Sequence, residues 1–154
     1  MTASVERVRA ALVWAGHADT ITVFPEGTRT AADAAKAVGC EVAQIAKSII
    51  FRSGERAVLV ITSGVNRVDA AKVAAALGEP IAKADADWVR EATGFAIGGV
   101  APVGHIKEPL VLVDEDLLAL DPIWAAAGSP AHVFRTRFVD IVRLSGGRVA
   151  AVKQ

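Results

Sequence analysis

Lys47-Ser-Ile-Ile-Phe-Arg-Ser-Gly-Glu-Arg-Ala-Val-Leu-Val-Ile-Thr62 decides the fold class. Ser48–Phe51 and Ala57–Thr62 are apolar, β-branched runs too short for helices, and Arg-Ser-Gly-Glu-Arg between them has the composition of a hairpin turn. Both runs therefore read as central strands. Outward from this pair, strand and helix signals interleave without a regular βαβ rhythm, so the expected fold is α/β of the α+β type, with a mixed sheet surrounded by helices.

Toward the N-terminus, Val5, Val8, Leu12 and Val13 recur at helical spacing up to Gly16. Thr20–Phe24 alternates like a short strand that Pro25 and Gly27 break, Thr30-Ala-Ala-Asp33 reads as a helix N-cap for a run ending at Gly39, and Glu41–Ala46 reads as a second short helical piece. Toward the C-terminus, helices are expected over Asn66–Leu77, Asp85–Ala92 and Glu115–Ala127, and strands over Leu110–Val113, Val133–Phe138 and Arg148–Val152. No repeat or linker interrupts the 154 residues, which are expected to form one domain, 1–154.

Composition narrows the function classes. Lys plus Arg and Asp plus Glu number 17 each, so no overall positive field is available to hold a long nucleic-acid backbone, and any RNA contact should be local or assisted. The single cysteine, Cys40, excludes an internal disulfide and a thiolate cluster, and fits a reducing, cytoplasmic setting. Glu6, Arg7 and Arg9 interrupt the N-terminal segment, which does not read as a secretory signal. The uncharged run Ala92–Ile106 is too short and glycine-rich to span a membrane, so no membrane partner is expected.

Two features carry chemistry. Lys47 is a charge among Ile45, Ile49 and Ile50; a partly desolvated ammonium attracts a phosphate or a developing oxyanion more strongly than one in water. Gly94-Phe-Ala-Ile-Gly-Gly-Val-Ala-Pro-Val-Gly-His105 is apolar yet glycine-rich, matching neither G-x-G-x-x-G nor G-x-x-x-x-G-K-[ST]. Its use is as a backbone-lined pocket: Gly98 and Gly99 can offer amides to a carbonyl oxygen, Pro102 fixes the path and Gly104 turns it. His105 stands where it would close that pocket or orient a water, and His132 begins a strand from which it could contact a ligand; each also reads as an ordinary hydrogen-bonded residue. Ser48 and Ser63 fit no nucleophile elbow. His17, His105 and His132 are too dispersed for a metal cluster, and neither metal nor cofactor is expected.

Together, Gln44-Ile-Ala-Lys-Ser-Ile-Ile-Phe51, Thr62-Ser-Gly-Val-Asn-Arg-Val-Asp69 with Lys72, and Gly94–His105 resemble the YbaK/EbsC family of aminoacyl-tRNA deacylases. Asp114-Glu-Asp-Leu-Leu118 and Trp124-Ala-Ala-Ala-Gly-Ser-Pro130 extend the resemblance over nearly the whole chain, as the family's late helix and the turn after it. The resemblance implies the partly barrel-like mixed sheet of the editing insertion of bacterial prolyl-tRNA synthetases. It implies trans-editing: hydrolysis of the ester of a mischarged tRNA, tRNA-Pro carrying a small wrong amino acid such as Cys or Ala, without a metal. The family's key lysine corresponds to Lys47 and its pocket loop to Gly98, Gly99 and Gly104, with Pro102 in the turn. Apart from the resemblance, Ser48, His105 and His132 are expected from their own positions to contact substrate. The expected partner is the CCA end of the tRNA, with a synthetase or elongation factor supplying the remaining affinity. The competing reading is a silent module that binds a nucleotide or aminoacyl end without turnover.

Overall fold

The computed structural model describes residues 3–24 and 30–154. The expected break at Pro25 and Gly27 lies outside the described residues. Five helices, α1 (Ala3–Trp14), α2 (Ala31–Val38), α3 (Ala70–Leu77), α4 (Ala86–Thr93) and α5 (Phe138–Ser145), surround strands β1 (Ile21–Val23), β2 (Ile45–Ser53), β3 (Arg56–Ser63), β4 (Ala82–Lys83), β5 (Leu110–Asp114), β6 (Ile123–Ser129), β7 (His132–Thr136) and β8 (Arg148–Ala150).

The strands form one sheet in the order β1-β7-β6-β2-β3-β5-β8, with β4 added to β2. It is mixed, as the interleaved pattern requires: β2 and β3 pair antiparallel as the expected hairpin, while β2 with β6 and β3 with β5 are parallel. Val8 and Leu12 of α1 and Ile141 of α5 pack with Leu59, Ile61, Val113 and Phe134 over one face, and α3 contributes Val73 to a second cluster with Val58, Val60 and Leu112. On the latter face, α2 lays Ala34 and Ala35 against Ile45 and Trp124.

Capping sets the helix limits. Thr30 Oγ1 accepts the Asp33 amide at 3.1 Å, and α2 ends at Gly39 as expected. The next helix starts at Ala70 rather than Asn66, because the Asp69 carboxylate caps the amides of Ala71 and Lys72. Residues before it serve a different end: Thr62 Oγ1, the Ser63 amide and Asn66 Nδ2 all donate to the buried carboxylate of Asp114. The Thr62–Asp69 motif thereby ties the end of β3 to the end of β5.

Several expectations need correction. Glu41–Ala46 contains only a 3₁₀ turn, Val42–Gln44, before β2 begins at Ile45. Glu115–Ala127 is not one helix: a 3₁₀ turn covers Glu115–Ala119, a cis Asp121–Pro122 bond follows, and Ile123–Ser129 is a strand. Pro122 removes an amide that a continuing helix needs, and Ala125 and Ala127 are buried in the sheet. The expected strand through Phe138 stops at Thr136, and α5 follows it, ending at Gly146. β8 covers only Arg148–Ala150. Val13, placed on the apolar face from spacing, is 64% exposed.

Candidate active site

Register brings the chemical groups together. Ile45 of β2 lies beside Trp124 of β6, and Ala126 lies opposite Val133 of β7. Side chains two residues apart share a face, so Lys47, Trp124, Ala126 and Val133 face the same side of the sheet as Ile45. There a cavity of about 290 Å³ opens, walled mainly by apolar groups including Ala31, Ala34 and Val133. Thr30, Lys47, Ser48, Gly98, Ser129 and His132 bring polar groups to its lining.

Lys47 is half-buried, and among the described residues its ammonium has no acidic partner. Burial first, and then the charge of Arg67, lower its pKa from the usual lysine value. A ligand bringing a phosphate or a carbonyl oxygen would compensate this charge. Ser48 also lines the cavity, and its hydroxyl makes no hydrogen bond among the described residues.

The glycine-rich segment is divided in its roles. Gly98, at φ +91°, lines the cavity in a conformation that other residues rarely adopt, and its amide has no acceptor among the described residues. The amide of the neighbouring cavity residue Val100 likewise has no acceptor among the described residues. Gly99 is used differently. Its amide donates to the Ala96 carbonyl at 2.9 Å, and a Cβ there would stand 2.7 Å from the Ser129 Cα. Gly99 thus lets the loop rest on the backbone of β6.

Pro102, Gly104 and His105 do not line this cavity. Pro102 is buried, and Gly104 gives its carbonyl to Arg7 Nε at 3.0 Å. His105 Nε2 meets the Ala101 carbonyl at 2.7 Å and its ring packs edge-on against Phe95, while its buried Nδ1 has no partner among the described residues. Burial lowers the His105 pKa, so the ring is neutral near pH 7. These three residues shape the loop from behind the cavity wall.

Two contributors escaped the sequence reading. Ser129 Oγ lies 2.6 Å from His132 Nδ1 and accepts the Ala131 amide at 3.0 Å. With Nδ1 held by Ser129, His132 has Nε2 left for a ligand. Burial chiefly, with nearby positive charge, lowers the His132 pKa, so this ring is neutral as well. A Ser-x-x-His spacing across a turn was the available signal. The second is Arg7 of α1, whose guanidinium reaches Gly104 O and Gly94 O, at 3.0 and 2.7 Å, and stacks 4.9 Å above Phe95. It fastens both ends of the loop to α1, and nothing local in the sequence marks it.

Among the described residues no group of His, Cys, Asp and Glu could hold a metal ion, and no helix is long and apolar enough to cross a membrane.

The profile of a family described as an aminoacyl-tRNA editing domain matches residues 25–144. The uncharacterized protein YwhH of Bacillus subtilis (strain 168) is 30% identical over 127 residues, which span 82% of this chain and 81% of that protein. A proline–tRNA ligase of Desulforamulus reducens is 30% identical over 132 residues, 79% of this chain but only 23% of the ligase. A crystal structure of a protein proposed as a trans-editing enzyme for prolyl tRNA synthetase superposes with a TM-score of 0.93 at 42% identity, covering 100% of this chain and 99% of that one.

Proposed function

The chain belongs to the aminoacyl-tRNA editing domain family, and from that premise we propose that it is a trans-editing deacylase that hydrolyses the ester of a mischarged tRNA, tRNA-Pro carrying a small wrong amino acid such as Cys or Ala. The observation that carries this reading is the placement of Lys47, without an acidic partner among the described residues, in the wall of a small apolar cavity shared with Gly98 and His132. A cation and an unused backbone donor converging on one space suit a carbonyl oxygen that becomes negative during the reaction.

In this account Lys47 holds the phosphate or ester end of the CCA terminus, and the amides at Gly98 and Val100 stabilise the oxyanion. Water adds to the carbonyl carbon, the ester C–O bond breaks, and the ribose oxygen leaves as a hydroxyl after taking up a proton. His132 Nε2 contacts the aminoacyl group or the attacking water, its ring oriented by Ser129. Lys47 acts through its charge rather than as the base. The alanine and valine walls favour a short side chain, although one methylene is worth only about 1–3 kcal/mol in such a pocket.

The test is a panel of tRNA-Pro charged separately with Cys, Ala, Ser, Thr and Pro. Release of one small wrong amino acid with Pro spared supports the reading and names the substrate. Binding of the charged tRNAs with no release from any would favour the silent module instead.

A further inference from the structure

A second cavity lies where the turn after α1, the end of β7 and the start of α5 meet, and its walls carry Arg135, Arg137 and Arg143. Two of these guanidiniums are uncommitted. Arg143 donates to the Ala15 carbonyl at 2.7 Å and to Asp140 at 3.3 Å, whereas Arg135 and Arg137 are exposed and have no acidic partner among the described residues. Against three arginines the same wall offers two carboxylates, Asp121 and the already engaged Asp140. In a chain with equal numbers of acidic and basic residues, this is a local concentration of positive charge.

The sheet connects this cavity to the first one. Arg135 lies opposite Trp124, and Trp124 lies beside Ile45, so Arg135 stands on the same face as Trp124 and Lys47. Two strand spacings separate β7 from β2, about 10 Å. Along β7, His132 of the first cavity and Arg137 beyond the strand end are five residues apart, about 17 Å at most. Guanidinium forks recognise phosphate oxygens in pairs, and two of them at a fixed distance from a Lys47 site suit a chain of phosphates rather than one anion.

We propose that this second cavity binds backbone phosphates of the acceptor strand of the same tRNA whose 3′ end enters the first cavity. The inference rests on the editing reading, and it supplies a docking surface that neutral net charge alone would deny the protein.

The test is binding of uncharged tRNA-Pro, followed by fluorescence anisotropy across a salt series, for wild type, Arg135→Gln/Arg137→Gln, and the control Lys83→Gln/Arg90→Gln, which removes equal charge from β4 and α4. The arginine pair should weaken binding on the order of tenfold and reduce the slope of log affinity against log salt by about 1.5–2, with the control near wild type. It should do the same on tRNA trimmed of CCA, because the contact lies outside the terminus. Both arginines are exposed, and unchanged thermal unfolding will show that the variant is folded. An unchanged slope, an equal loss in the control, or wild type that fails to bind tRNA at all overturns the proposal while leaving editing intact; editing itself is overturned only by the absence of release from the charged tRNA-Pro panel. Sensitivity of the pair to inorganic phosphate alone, with tRNA binding unaltered, would assign a free-anion site and also overturn it.

Discussion

Ser129 Oγ sits 2.6 Å from His132 Nδ1, with both residues in the wall of the cavity that holds Lys47. A turn of two residues, Pro130-Ala131, separates them, and the Ala131 amide holds the hydroxyl from the other side. The pair fixes which imidazole nitrogen is available. Ser129→Ala should lower the single-turnover rate of deacylation about tenfold, equivalent to about 1.4 kcal/mol, with little change in thermal stability. Rate and melting measured on the same preparation check this; an unaltered rate would remove His132 orientation from the mechanism.

Gly99 transmits packing to the same pair. An alanine Cβ would stand 2.7–2.9 Å from the Ser129 backbone, so Gly99→Ala must displace either the loop or β6. Overpacking of this kind costs about 1–3 kcal/mol. The variant should lose stability in denaturant titration and lose deacylation beyond what Ser129→Ala loses. Wild-type stability would mean that the loop has room to move.

Arg7 holds the Gly94 and Gly104 carbonyls from outside the loop. Arg7→Met keeps the aliphatic bulk but removes both charged donors, and each such bond is worth about 1.5–3 kcal/mol. Expected are a lower denaturant midpoint and faster hydrogen exchange at Gly99, whose amide is bonded within the loop. Exchange at wild-type rates would show that the loop holds its shape without α1.

The two lowered histidines give opposite experiments one sign. Folded His105 and His132 both bind protons less readily than a free histidine of 6.5, burial being the main cause. As pH falls below about 6.5, the unfolded chain therefore protonates first, and stability falls until the folded value is reached. Stability is fully present above that range. Chemical denaturation at pH 7.5 and 5 should show the loss in wild type, and His105→Gln should reduce it. Deacylation should decline on the same acid side as His132 takes its proton, a decline His132→Gln should flatten.

Much of this architecture was legible because local chemistry and tertiary use agree. The β2–β3 hairpin, the Thr30 cap and the Gly39 stop all follow from residue types at their own positions. Lys47 and Gly98 stood out because a charge among isoleucines and a glycine-rich apolar run conflict with ordinary strand or loop use, whereas His132 was marked only by its place at the start of a strand. Ala125-Ala126-Ala127 misled, since alanine favours helix while the sheet needs small residues between β2 and β7. The helix over Phe138–Ser145 is readable from Phe138, Ile141 and Val142, but the expected strand takes only its first residue and leaves the rest unassigned. Arg7 was out of reach: its partners lie 87 and 97 residues away.

The central claim is that the ammonium of Lys47, half-buried in the cavity wall, stabilises charge in ester hydrolysis. Its most direct measurement is single-turnover deacylation of one mischarged tRNA-Pro by wild type, Lys47→Ala and Lys47→Arg, with tRNA affinity measured alongside. The account expects Lys47→Ala to lose about 10²–10³-fold in rate, the range for losing one preorganised oxyanion contact, while affinity falls far less and arginine restores part of the rate. Deacylation by Lys47→Ala at the wild-type rate would contradict it.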